Sequence, residues 1–253
     1  MRRFLLAFVI MLSGVLWGQN AIVGTGFSNG WGSNGTTNNY EYLSSSSGTS
    51  YIKTDVANGT GNQYFRFGIE WGGTVKQVTI TEGSDVSVSP ETEYQLTMGT
   101  GGTNSGSMYL NVSSTSHNYV FKTEQAGSSP SGKFIIFLVQ GTVRSVTSVT
   151  APTAYINQDL TVTANLDGSL SAGQGVYLRY TSNDFVNSSV LEMMGSGTTY
   201  TANIPAGTNT SGATIKYYVF TSGDGLTIDP SKADWYTINI NNNSGNNYSY
   251  IPS

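Results

Sequence analysis

Apolar and polar residues alternate with a period of two through much of the chain. In YFRFGIEW (64–71), every second residue from Phe65 onward is apolar, which predicts a strand with one buried face. LTVTANL (160–166) repeats this alternation. KFIIFLVQG (133–141) has a long uninterrupted apolar run, which is typical of a strand covered on both faces. The pattern predicts many strands and no substantial helix.

Clusters of Gly, Ser, Asn and Thr separate these runs, as in ANGTGN and TSGDG, and such clusters are typical of turns. Many short strands with frequent turns predict an all-β fold. A connector, VRSVTSVTAPT (143–153), divides the strands into two groups. We therefore predict two tandem antiparallel β-sandwiches, at 21–143 and 146–241, and a flexible tail at 242–253.

The first residues have the layout of a secretory signal peptide. Two arginines follow Met1, an apolar run extends from Phe4 to Val15, and small or polar residues follow. We expect residues 1–20 to be a leader that is cleaved between Gly18 and Ala21. The mature chain, which has no second apolar run, is expected to be secreted, periplasmic or on the outer cell surface, without membrane insertion.

Composition narrows the function classes. Only 10% of residues are charged, the net charge is −4, and no basic run occurs, which argues against nucleic acid as a partner. The chain has no cysteine, which excludes disulfides, thiolate zinc sites, a cysteine nucleophile and a lipid anchor on cysteine.

The second half resembles an immunoglobulin-like early-set sandwich. VYLRYTSNDF (176–185), LEMMGSGTTYTANIPAG (191–207) and IKYYVFTSGDG (215–225) follow one another in the order of that pattern. Such domains precede the catalytic barrels of amylases and pullulanases and occur in secreted Bacteroidetes-type proteins. Because this fold often serves as a spacer, the resemblance implies architecture more firmly than function.

The first half is similar to domains of the SusE/SusF-type outer-membrane starch-binding proteins. The similarity lies in Gly-Phe-x-x-Gly-Trp at 26–31 and in the aromatic strand 64–71. It implies a polysaccharide ligand, with an α-glucan as one candidate. Those proteins are lipid-anchored, and this chain departs from them in having no cysteine.

Aromatic residues among amides and arginine predict a glycan site in the first half. Sugars stack on exposed rings while nearby polar groups bind their hydroxyls. The glycine-rich stretch GTGFSNGWG (24–32) predicts a loop, in which the Trp31 ring either packs against the core or contacts a ligand. Tyr64 and Trp71 are further aromatic residues of this half. The predicted ligand-binding residues are Asn29, Trp31, Tyr40, Tyr42 and Arg66.

The second half offers an aromatic set on one strand face. If Val176, Leu178 and Tyr180 fill the core, alternation places Tyr177, and with it Tyr218 and Phe220 of the later strand, on the opposite face. We predict that Tyr177, Tyr218 and Phe220 form an exposed interface patch. Trp235 is predicted to cap the end of the sandwich.

Catalytic and metal signals are weak. His117 is the one histidine and no G-x-S-x-G motif accompanies it. Carboxylates such as Glu41, Glu70, Asp184 and Glu192 have no signature around them. Asp224, Asp229 and Asp234 share one segment, but their spacing is not that of an EF-hand. We predict no enzyme, no cofactor and no metal site.

Two functions remain open. The first is exported, non-catalytic binding of an extracellular polysaccharide by aromatic stacking. The second is a structural or adhesive surface protein whose sandwiches contact partner proteins. Exposed rings in one domain favour the first, and a flat patch or an unpaired strand edge favours the second.

Overall fold

A computed structural model describes residues 20–24, 41–42, 44–47, 50–56, 59–71, 74–80, 83–98, 106–113, 117–125 and 132–253. In the first half the strands are β1 (Asn20–Gly24), β2 (Glu41–Tyr42), β3 (Ser44–Ser47), β4 (Ser50–Val56), β5 (Gly61–Trp71), β6 (Thr74–Thr79), β7 (Val86–Ser87), β8 (Tyr94–Met98), β9 (Met108–Val112), β10 (His117–Gln125) and β11 (Gly132–Gln140). In the second half they are β12 (Val146–Thr150), β13 (Leu160–Leu166), β14 (Gly175–Thr181), β15 (Ser189–Glu192), β16 (Met194–Ser196), β17 (Thr199–Ile204), β18 (Ile215–Ser222), β19 (Asn239–Asn241) and β20 (Tyr248–Tyr250). The one described α-helix, α1, covers Ala233–Tyr236, and short 3-10 helices cover Ala206–Thr208 and Pro230–Lys232.

The prediction of an all-β fold is confirmed. The first half contains two groups of strands. Sheet A has the strand order β2-β1-β5-β6, and in addition β9 pairs with β5 and β7 pairs with β9. Sheet B has the strand order β11-β10-β4-β3. The strand β8 pairs with β6 of sheet A and with β11 of sheet B, so the eleven strands are one continuous sheet. All of these pairs are antiparallel except β7 with β9, which is parallel.

Aromatic residues fill the space between sheets A and B. Phe65 and Phe67 of β5 meet Phe121 of β10 and Phe134 of β11, with ring centroids 5.0–6.3 Å apart. All four side chains are at most 2% exposed. The alternation in β5 therefore directs these two residues into the core, as predicted, and leaves Tyr64 and Arg66 half-buried on the outer face of sheet A.

The second half is a sandwich. The strand order is β12-β13-β17-β16 in one sheet, called sheet C, and β15-β14-β18-β19 in the other, called sheet D. These orders correspond to A-B-E-D and C′-C-F-G of immunoglobulin lettering. In β13 the alternation holds as predicted, because Leu160, Val162, Ala164 and Leu166 are buried between the sheets.

Strand β11 is covered on both faces, as its apolar run predicted. Phe134 and Ile136 belong to the core between sheets A and B. A different cluster covers the opposite face and joins the two halves of the chain. The buried residues of this junction cluster are Val120, Ile135, Phe137, Val139, Trp235 and Ile238. The prediction that Trp235 caps its own sandwich is therefore wrong, because its ring packs against sheet B.

The segment 223–238 connects β18 to β19 and lies between sheets B and D. Its residues Leu226 and Tyr236 pack against the junction cluster and also against the outer face of sheet D. This face carries Tyr177, Tyr218 and Phe220, which are 0%, 4% and 0% exposed. The prediction of an exposed interface patch is wrong. Alternation assigned these rings to the correct face, but a segment of the same chain covers that face.

The prediction of a flexible tail at 242–253 is also wrong. β20 pairs with Ile215–Tyr217 of β18, and Tyr248 stacks on Tyr217 with centroids 5.4 Å apart. At the last residue, Ser253 N donates to the carbonyl of Ala154 and its own carbonyl accepts from Ile156 N. Backbone pairing and ring burial order a stretch that has no apolar alternation.

Two sequence boundaries can be compared with the strands. β11 ends at Gln140 and β12 covers Val146–Thr150, so a strand occupies part of the 143–153 stretch that was predicted to be a connector. β1 begins at Asn20, the last residue assigned to the leader. Among the described residues, no helix has the length and apolar character needed to cross a membrane.

Buried tyrosines predict a loss of stability at alkaline pH. Burial raises the pKa of Tyr217 to about 12 and raises the pKa of Tyr177, Tyr218 and Tyr250 well above the ordinary value. In the unfolded chain these phenols ionise near pH ~10, so the unfolded state loses protons first and rising pH favours it. We expect the contribution of these phenols to the free energy of unfolding to be constant below that pH and to fall as the pH rises toward about 12.

Denaturant unfolding across this pH range, followed with tyrosinate absorbance, checks the expectation. One phase of tyrosine ionisation should coincide with unfolding. Tyr217→Phe removes one of the phenols and should weaken the alkaline loss of stability. Full ionisation of all tyrosines in a protein that is still folded would contradict the prediction.

Candidate functional site

The outer face of sheet A, over β5 and β9, carries three cross-strand rows of polar and aromatic residues. The register pairs Asn62 with Asn111 and Tyr64 with Tyr109, and Arg66 lies beside Ser107 in the next row. Residues of one strand face are two positions apart, so these rows are spaced by roughly 7 Å. We call this surface the tyrosine face.

The centre of the tyrosine face is an aromatic pair. The rings of Tyr64 and Tyr109 have centroids 5.2 Å apart and planes inclined by 42°. Both residues are half-buried, so part of each side chain is accessible to solvent. Ser87, which is exposed, pairs with Tyr109 in the parallel register of β7 and extends this row by one strand.

The row on one side of the rings is built from amides. Asn62 and Asn111 are both exposed, and Asn111 Nδ2 donates to Asn62 Oδ1 over 2.9 Å. Each amide has more donor and acceptor positions than this one bond uses. The row therefore offers neutral hydrogen-bonding groups at the edge of the aromatic pair.

The row on the other side is charged but balanced. Arg66 Nε donates to Ser107 Oγ over 3.0 Å, and Ser107 N donates to Asp85 Oδ1 over 2.7 Å. Ser107 is buried. Its hydroxyl group accepts from the Arg66 guanidinium and its backbone N–H donates to the Asp85 carboxylate, so this one residue contacts both charges. The two charges that the described residues place in this row are therefore opposite in sign.

Close backbone approach shapes the rim of this surface. At Gly24, the last residue of β1, an added Cβ would overlap the carbonyl oxygen of Tyr64. At Gly106, just before β9, it would overlap the carbonyl of Ser84. Glycine is required at both positions because no side chain fits there. The stretch GTGFSNGWG thus begins directly beside Tyr64.

The residues predicted to bind a ligand are only partly described. Asn29, Trp31 and Tyr40 lie outside the described residues. Tyr42 pairs in register with Ala21, which pairs with Gly68 of β5, two positions along the strand from Arg66. Arg66 lies on the tyrosine face. Tyr64, the further aromatic residue of the first half, lies on the same face of β5.

Sequence reasoning missed Tyr109, Asn111, Asn62, Ser107 and Ser87. The alternation in MYLNV (108–112) contained a signal, because its apolar residues are the buried ones and Tyr109 and Asn111 lie opposite. The alternation gave no information on which residue of another strand lies beside Tyr109. Residues 64 and 109 come together only through the pairing of β5 with β9.

The face of sheet D under the segment 223–238 holds a polar network in which Arg179 and Tyr218 are buried and Asp234 is exposed. Arg179 Nη1 donates to Tyr218 Oη over 2.7 Å and to Asp234 Oδ1 over 3.1 Å, while Tyr218 Oη donates to Asp234 Oδ1 over 2.7 Å. Burial is the main cause that raises the pKa of Tyr218. Through these bonds the network anchors α1 to sheet D.

A separate cavity of about 300 Å³ lies at one end of the second half. Tyr200, Glu192 and Asp224 line it together with Met193 and Met194. Burial and the Asp224 carboxylate raise the pKa of Tyr200. Glu192 already accepts a hydrogen bond from Gly225 N over 3.3 Å. The lining holds two carboxylates, but no described contact shows which ligand they would bind.

The remaining catalytic and metal candidates are dispersed. Asp184 forms an ion pair with Lys216 at 2.6 Å, and Asp229 accepts from Ser231 N at the start of a 3-10 helix. Asp234 belongs to the Arg179 network, so the three aspartates of the 224–234 segment do not converge. His117 is the first residue of β10. Within the described part of the chain, no three His, Cys, Asp or Glu side chains form a potential metal site.

Comparisons with known proteins assign neither a family nor a function to this chain. No protein-family model matches the chain, and no curated protein is significantly similar to it. The resemblances to early-set sandwiches and to starch-binding domains therefore stay predictions.

Proposed function

We propose that this protein is an exported, non-catalytic carbohydrate-binding protein that recognises an extracellular polysaccharide on the tyrosine face. The observation that carries the proposal is the Tyr64–Tyr109 pair, half-buried on an outer sheet surface between two polar rows. Aromatic rings bind the apolar faces of sugars, and the flanking groups can bind hydroxyls on both sides.

The polar rows favour a neutral ligand. The amides of Asn62 and Asn111 are uncharged, and Arg66 and Asp85 are opposite charges joined through Ser107. A ligand that depended on charge would need a surface of one sign. We therefore propose that hydroxyl groups and ring faces, and not ionic groups, account for recognition, and that salt affects binding little.

The alternative function, protein–protein contact through an aromatic patch, has lost its main support. Tyr177, Tyr218 and Phe220 are buried under the chain's own 223–238 segment. The 242–253 stretch, predicted to be a flexible tail, is paired with β18. Glycan binding is therefore the better-supported function.

Electrophoresis through native gels that contain soluble neutral polysaccharides tests the proposal. We expect the purified protein to be retarded by at least one of them. Tyr109→Ala should weaken binding by about fivefold to 150-fold, because the loss of a stacking ring at the centre of a small site costs about 1–3 kcal/mol. Tyr109→Phe keeps the ring and should retain most of the affinity.

The chain offers a matched control for this variant. Tyr155 is 52% exposed and lies in the second half, so Tyr155→Ala removes the same side chain away from the tyrosine face. Its mobility should equal that of the unmodified protein. Thermal unfolding of both variants separates lost binding from lost folding. The proposal fails if no neutral polysaccharide retards the protein, or if folded Tyr109→Ala is retarded as strongly as Tyr155→Ala.

A further inference from the structure

The contact between the two halves of the chain includes a carboxylate whose charged neighbour has the same sign. We infer that mild acid strengthens this contact, because protonation of Glu91 removes a half-buried negative charge that Asp224 repels. Glu93, two positions along the same segment, meets the second half through an ion pair instead and provides the comparison.

Glu91 is fixed against sheet B and reaches the segment 223–238. Its backbone N–H donates to the carbonyl oxygen of Ile136 in β11 over 2.7 Å. Its side chain is half-buried, and its carboxylate occupies the space in which a side chain at Gly223 would lie. Gly223 is buried and directly follows β18. The Glu91 carboxylate is therefore part of the contact between the halves.

The two glutamates differ in the charges beside them. Lys133 Nζ lies 3.4 Å from Glu93 Oε2, and Lys232 Nζ lies 3.9 Å from Glu93 Oε1. Within the described part of the chain, the Glu91 carboxylate has neither an ion-pair nor a hydrogen-bond partner. Its burial and the carboxylate of Asp224, the residue after Gly223, both raise the pKa of Glu91.

The other groups around Glu91 supply no cation for it. The described titratable and charged groups on the elements packed around Glu91 are Glu93, Lys133, Tyr177, Glu192, Asp224, Lys232 and Tyr236. Burial raises the pKa of both tyrosines, so their phenols are neutral at pH ~7. Both lysines of this set pair with Glu93. The carboxylates therefore outnumber the positive charges around Glu91.

The direction of the pH effect follows from linkage. In the unfolded chain Glu91 titrates near its ordinary value of 4.5, whereas in the folded protein its pKa is higher. As the pH falls from neutral, the folded state binds this proton first, and proton binding favours that state. The stabilisation from Glu91 is therefore complete below pH 4.5 and is lost as the pH rises through the folded-state pKa.

Glu91→Gln and Glu93→Gln are a matched pair of variants, because each replaces a carboxylate by a neutral amide of the same shape. Urea unfolding of both variants and of the unmodified protein is measured between about pH 8 and pH 4.5. At the higher pH we expect Glu91→Gln to shift the urea midpoint upward and Glu93→Gln to shift it downward. The difference between Glu91→Gln and the unmodified protein should disappear as the pH approaches 4.5.

Two further measurements place the effect at this contact. Asp224→Asn removes the neighbouring charge at an exposed position, so it should raise the midpoint at neutral pH, and should raise it less when Glu91→Gln is already present. Amide hydrogen exchange at neutral pH should be slower in the segment 223–238 of Glu91→Gln than in the unmodified protein.

The inference is overturned if folded Glu91→Gln has a midpoint at or below that of the unmodified protein at neutral pH. A midpoint difference that does not change with pH also overturns it, because the amide would then act through something other than charge. Unchanged exchange in the segment 223–238, or equal effects of Asp224→Asn with and without Glu91→Gln, would exclude repulsion at this contact as the cause.

Discussion

Trp235→Ala is expected to lower the free energy of unfolding by about 3–5 kcal/mol, the usual cost of truncating a buried aromatic residue. The indole is 6% exposed and packs in the junction cluster against sheet B. Lys133 Nζ lies 4.4 Å from the ring centroid, so the variant also loses a cation–π contact. Urea unfolding of the variant and the unmodified protein measures the difference.

The nature of the loss can be checked with a second substitution. Within the described residues, the indole N–H of Trp235 has no hydrogen-bond partner, so packing and the cation–π contact account for its contribution. Trp235→Phe should therefore cost much less than Trp235→Ala. Tyr155→Ala, at an exposed position, should change stability by no more than ~0.5 kcal/mol. A Trp235→Ala effect as small as that of Tyr155→Ala would contradict the packing that joins the two halves.

Lys122→Ala is expected to destabilise the protein by about 3 kcal/mol or more, because it removes a buried charged donor. Lys122 is 5% exposed on β10, and its Nζ donates to the carbonyl oxygens of Asp234 and Thr237, the latter over 3.1 Å. These carbonyls lie in and just after α1. Their hydrogen bonds to an ammonium group are favourable there because the carbonyl end of a helix carries partial negative charge. The denaturation midpoint and slope give the free-energy change.

A matched substitution separates the two contributions of this lysine. Lys122→Met keeps an apolar stem of similar length and loses the charged amine, so it should be less destabilising than Lys122→Ala. Trp235 is adjacent, with Lys122 Nζ 5.7 Å from its ring centroid. The double variant with Trp235→Ala should therefore cost less than the sum of the single variants. Additive costs would mean that the two side chains act independently.

These junction contacts and the tyrosine face are on different surfaces of the first half. The junction cluster covers the outer face of sheet B, whereas Tyr64 and Tyr109 lie on the outer face of sheet A, beyond the Phe65 and Phe67 layer. We therefore expect the junction variants, while folded, to keep their affinity for polysaccharide. Stability and binding can be altered separately in this protein.

Local patterns predicted strand faces reliably where the side chains are described. Phe65 and Phe67 point inward and Arg66 outward, and β11 is buried on both faces, because a period of two depends only on the backbone of one strand. The same logic placed Tyr177 opposite Val176 correctly. It could not show that the 223–238 segment covers Tyr177, since that segment lies far from Tyr177 along the chain.

The candidate site was predictable in part. Arg66 and Tyr64 were identified from an aromatic strand with polar residues on one face. Tyr109 was not, because its pairing with Tyr64 joins segments 45 residues apart and the register of that pairing is set by the whole sheet. The sequence also failed to predict that residues 242–253 are structured. The reason is similar, since β20 is stabilised by pairing with β18 and not by its own composition.

The sequence by itself determined the all-β class, the faces of its clearest strands and the absence of any cysteine chemistry, because these depend on composition and on side-chain direction within single strands. Only the tertiary structure decided which faces stay exposed. The Tyr64–Tyr109 pair remains half-buried on an outer face, while the more numerous rings of sheet D are covered. Coverage depends on contacts between segments far apart in the chain, and a local period carries no information about them.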